Sequence, residues 1–95
     1  MATPVVIFTR LTAASGRGHE LLAVLEDLGV ATRDEPGNEV FVVHAARDEP
    51  DVVLGYEVFR DDTALATHRA TEAVRVAQER LSDVLAGPPV ISYAT

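Results

Sequence analysis

Three histidines and one strand carboxylate are the side chains of this sequence best suited to moving a proton. His68 follows Asp61-Asp62-Thr63-Ala64-Leu65. A three-residue spacing puts it on one helix face with Leu65. Leu65 is apolar and should point at the core, so His68 is expected at the core's edge. Imidazole ordinarily titrates near neutrality, and one placed there can accept a proton from an acidic phenol or enol. The plainer reading is a helix-edge histidine that bonds a loop carbonyl. His19 lies among polar residues and reads as solvated. His44 stands near the end of a strand, and the pattern does not fix whether it faces an interface, a pocket or the rim.

In Val52 to Arg60 the period of two puts Val53, Gly55, Glu57 and Phe59 on one face and Val52, Leu54, Tyr56 and Val58 on the other. One face therefore carries both a glycine and a carboxylate. Beneath helices, Gly55 would leave room for a ligand and Glu57 would be a charge in a low-dielectric site. The alternatives are a bulge at Gly55 and an arginine-paired sheet-edge carboxylate at Glu57. The sequence holds no Gly-x-Gly-x-x-Gly, no P-loop and no His-x-x-x-His pair, and Ser15, Ser82 and Ser92 lie in no nucleophile-elbow context.

The elements that must position these groups are well punctuated. Val5 to Leu11 is rich in β-branched residues and predicts a strand. Gly18 to Arg33 predicts a helix with Leu21, Leu25, Leu28 and Thr32 on one stripe, weakened at Gly29 and stopped by Pro36-Gly37. Val40 to Ala46 and Val52 to Arg60 predict two strands joined by a polar loop of hairpin length. Asp61 or Asp62 caps a helix that runs to about Ala86, with a break expected near Ala70-Thr71, where Thr71 can cap again. Gly87 suits the position after its end, Pro88-Pro89 forbids continuation, and Val90 to Tyr93 predicts a last strand. The order β-α-β-β-α-β is the ferredoxin-like α+β pattern: a four-stranded antiparallel sheet with helices on one face. Its other face would expose Val6, Phe8, Val42 and Leu54, an apolar patch of the kind that marks an interface.

The chain has 95 residues, which fits a single domain over residues 1–95. Such a small core gains from dimerisation. Net charge is −7, and the eight basic residues are scattered arginines, so nucleic-acid binding is not expected. There are no cysteines, which removes disulfides and cysteine-ligated metal sites. No apolar run reaches a membrane span, the start lacks a leader pattern, and a cytoplasmic protein is expected.

Glu35-Pro36-Gly37, the hairpin, Tyr56-Glu57-Val58-Phe59-Arg60-Asp61, Ala64-Leu65, His68 and the closing Leu85-Ala86-Gly87-Pro88-Pro89 resemble the antibiotic-biosynthesis monooxygenase family over nearly the whole chain. The resemblance implies a dimeric α/β barrel. It also implies one of several activities: cofactor-independent oxygenation of quinols and anthrones, haem degradation, or isomerisation of a phosphorylated sugar. By position, His68 matches the family's histidine after Ala-Leu, and Tyr56-Glu57 its aromatic-Glu pair. Phe59 stands where tryptophan is common, Asn38 where cysteine is, and Phe41 where tyrosine often is. The haem-degrading branch uses asparagine, tryptophan and histidine where this chain has Thr9, Phe59 and Gln78, so no haem, and no other cofactor or metal, is expected. The resulting expectation is a monooxygenase of quinols, anthrones or related polycyclic phenols. Its pocket is built from Thr9, Phe41, Gly55, Glu57, Phe59, Leu65 and Val74, with His68 as proton acceptor or anchor. A non-catalytic homodimer that binds a small apolar aromatic ligand is the alternative. An isomerase of a small phosphorylated carbonyl compound ranks third, disfavoured by the negative net charge.

Overall fold

Two short oxygen-bearing side chains decide how the second half of the chain turns helical. The Asp61 carboxylate accepts from the Ala64 N–H at 2.8 Å, and the Thr71 hydroxyl accepts from the Val74 N–H at 3.2 Å. Each satisfies a donor that the first turn of a helix leaves free. The break expected at Ala70-Thr71 is therefore real, and the helical stretch is two helices. In the computed structural model, which describes residues 2–95, the order is β1 (Val5–Thr12), α1 (Gly18–Arg33), β2 (Asn38–Ala45), β3 (Val52–Phe59), α2 (Asp62–Arg69), α3 (Glu72–Val84) and β4 (Val90–Ala94). The end of α3 differs from expectation. It stops at Val84, Leu85 turns extended and bridges to Ala13, and Gly87 has no left-handed φ. Pairing with β1's continuation, not a glycine cap, ends the helix.

The four strands form one antiparallel sheet in the order β2-β3-β1-β4. This is the ferredoxin-like arrangement read from the sequence. Gly55 sits in regular register opposite Thr9 and Val43, so it marks no bulge. The irregularity lies at Asn38/Val40 instead. There the Asn38 side-chain amide donates to the Val40 carbonyl at 3.0 Å. α1 packs on β2 and α3 packs on α1, while α2 lies along β3. Gly29 does not interrupt α1, and a Cβ there would crowd the Phe41 ring.

Buried apolar residues form two clusters on the helix-covered face. One gathers Leu11, Ala13, Leu21, Leu25, Val53 and Val84. The other gathers Ile7, Phe59, Ala64 and Leu65. Between them along β1 and β3 come half-buried Thr9, Gly55 and Glu57. The opposite face carries Phe8, Val42, Leu54 and Tyr56 with no helix over them; Phe8 is 50% exposed. His44, paired with Leu54, is exposed on that bare face. Among the described residues no helix is long and apolar enough to cross a membrane.

Candidate functional site

His68 is buried, and its ring lies 4.8 Å from that of Phe59 in a tilted contact. Its Nδ1 is 3.0 and 3.2 Å from the two carboxylate oxygens of Glu35. Ionised carboxylates only accept, so Nδ1 carries the proton and donates. When the ring is neutral, Nε2 keeps its lone pair. It makes no hydrogen bond among the described residues and is not sealed from solvent. His68 thus bonds a carboxylate rather than a loop carbonyl, with its ring against Phe59. It is one half of a carboxylate–imidazole dyad.

Two small residues bring the dyad together. The turn after α1 is closed by the Asn38 N–H donating to the Glu35 carbonyl, and the Arg60 N–H donates to the Gly37 carbonyl. A Cβ on Gly37 would overlap that of Ala64. Ala64 and His68 lie one helical turn apart on α2. Close approach of Gly37 to Ala64 therefore sets how near Glu35 comes to His68. Sequence reasoning quoted Glu35-Pro36-Gly37 as a motif but gave Glu35 no role. The only available signal was a carboxylate beside a turn glycine.

Glu57 faces the helices from the central strand β3, directly opposite Ile7 and Phe41, and among the described residues it has no arginine partner. Burial holds its carboxyl above the ordinary carboxylate range, and nearby Glu35 adds to this. His68 and Arg69 oppose it. The room expected above Gly55 is taken by Thr9, whose hydroxyl occupies the place of a Cβ. Thr9, not a void, presents at that point. Phe41 and Leu65 are buried in the packing around the site, Val74 is buried at the start of α3, and Phe59 is fully buried beneath His68. Gln78 is exposed on α3. Among the described residues no cluster of metal-ligating side chains forms.

The ferredoxin-like sheet thus carries a carboxylate–imidazole dyad on its helix-covered side. The sequence model of antibiotic biosynthesis monooxygenases matches residues 4–80, and the chain belongs to that family. It is similar to the crystal structure of PA3566 from Pseudomonas aeruginosa, with 28% identity, TM-score 0.91, and coverage of 99% of this chain and 94% of that one. A Bacteroides thetaiotaomicron protein provisionally named an antibiotic biosynthesis monooxygenase is 28% identical, with TM-score 0.85 and coverage of 98% and 89%. Rv0793 from Mycobacterium tuberculosis shares the fold at 20% identity, with TM-score 0.90 and coverage of 98% and 94%. No curated protein matches the chain.

Proposed function

We propose that the protein is a cytoplasmic, homodimeric monooxygenase that oxidises a quinol, anthrone or related polycyclic phenol with dioxygen and without metal or flavin. The observation that carries this reading is the Glu35–His68 pair, which leaves Nε2 as an oriented acceptor beside apolar Phe59. In the proposed reaction, Nε2 takes the proton of the phenol or enol. Glu35 keeps the ring's tautomer and meets the charge it acquires. The substrate anion gives electrons to dioxygen, and a carbon–oxygen bond forms. The resulting peroxide anion takes the proton back from His68, and the hydroperoxide loses water, leaving a carbonyl. Thr9, Glu57 and the apolar residues around them orient the ring and exclude water. Membership of the family supports the reaction class, and the bare sheet face supports a second copy as its cover.

Oxygen uptake with a panel of quinols and anthrones tests the reading. Wild-type protein should consume oxygen and His68→Ala should lose most of that rate, by about 100-fold or more if the base is central. Equal rates would remove His68 from the reaction.

A further inference from the structure

Five arginines of this chain sit against carboxylates: Arg10, Arg17, Arg60, Arg75 and Arg80. Arg69 does not. It follows His68 at the end of α2, and its guanidinium donates to the Tyr93 hydroxyl at 2.7 Å while lying 5.8 Å from the centre of that ring. Tyr93 stands on the helix-covered side of the edge strand β4, opposite Ile7, which is itself opposite Glu57. Arg69 therefore reaches from α2 to the β4 edge of the helix-covered face. It is close enough to Glu57 to favour that carboxyl's ionised form, yet Glu57 forms no hydrogen bond with it.

The pair is rich in unused donors. A guanidinium has five N–H groups, and the Tyr93 hydroxyl, accepting from Arg69, keeps its own hydrogen to give. Together they match the two oxygens of a carboxylate. His68, the preceding residue of α2, carries the imidazole proposed above as the base.

We propose that Arg69, held by Tyr93, determines specificity for an aromatic substrate that carries a carboxylate at the end of its ring system remote from the reacting hydroxyl. Arg69 and Tyr93 hold the acid group, and the hydroxyl is thereby presented to His68. This inference rests on the aromatic site proposed above.

Calorimetric titration with 6-hydroxy-2-naphthoate and with 2-naphthol tests it, since the two probes differ only by the carboxylate. Wild-type protein should bind the acid about tenfold more tightly than the naphthol, as a charge-assisted contact requires. Arg69→Gln should bring the two affinities within about twofold of each other while leaving naphthol binding as it was. Tyr93→Phe should keep only part of the preference. Arg69 is exposed, so these variants should fold, and unchanged naphthol binding reports that they do. Equal affinities in the wild type, or a preference that survives Arg69→Gln, would overturn the role of Arg69 while leaving the aromatic site standing. Binding of neither probe would overturn both.

Discussion

A carboxylate behind one imidazole nitrogen decides which nitrogen can receive a proton, and here it is Nε2 of His68. Glu35→Gln replaces an acceptor-only group with an amide, which frees the tautomer. Oxygen uptake by that variant should fall by about tenfold or more, with a smaller loss than in His68→Ala. Glu57 makes a separate prediction. Its folded carboxyl titrates above the ordinary range because burial penalises the charge. Between the unfolded and folded values the folded state holds more protons than the unfolded one, so stability falls as pH rises through that window. Glu57→Gln has no such loss. Thermal unfolding should find it at least as stable as wild type near neutral pH, with the advantage disappearing below the ordinary carboxylate range. His68 and Glu57 were legible in the sequence because helix and strand periods place them. Glu35 was not: it lies 33 residues from His68, and only the packing of the α1–β2 turn on α2 joins them.

At the scale of elements, small residues set the distances. Gly55 was legible as a special position on β3, but its partner was not. Register with β1 puts Thr9 opposite, and the hydroxyl fills the space a pocket was expected to use. Gly55→Ala should cost about 1–3 kcal/mol from overpacking. Adding Thr9→Ala should recover most of that in a double-mutant cycle read by denaturant unfolding. Asp51 ties two further elements. It holds a left-handed φ of 67°, and its carboxylate accepts from the Gly16 and Gly18 N–H groups at 2.9 Å each. These bonds keep its carboxyl below the ordinary range. Their stabilisation is present above the unfolded value and is lost as pH falls through the folded one. Asp51→Asn should therefore unfold at a lower temperature than wild type near neutral pH, and the gap should narrow in acid. The capping residues Asp61 and Thr71 were legible because their chemistry is local. The end of α3 was misread because a long-range bridge, Ala13 to Leu85, sets it.

For the whole molecule, strand alternation already separated a helix-covered face from a bare one, and topology placed Phe8, Tyr56, Val42 and Leu54 together on the latter. A second copy is the cover proposed for that patch. Sedimentation equilibrium should give twice the chain mass, and Leu54→Glu, a charge in the middle of the patch, should shift the mass toward a single chain. A monomeric wild type would leave the patch without the cover proposed for it. The site's proton chemistry is the claim on which the functional reading turns, and the absorption spectrum of bound 2-naphthol near neutral pH tests it most directly. Phenols of this kind are neutral in water at that pH, and their anions absorb at longer wavelength. Wild-type protein should show the bands of the anion, and His68→Ala should bind the naphthol with the bands of the neutral form. Neutral naphthol bound to the wild type, or anion bands of equal strength in both proteins, would contradict His68 as the base.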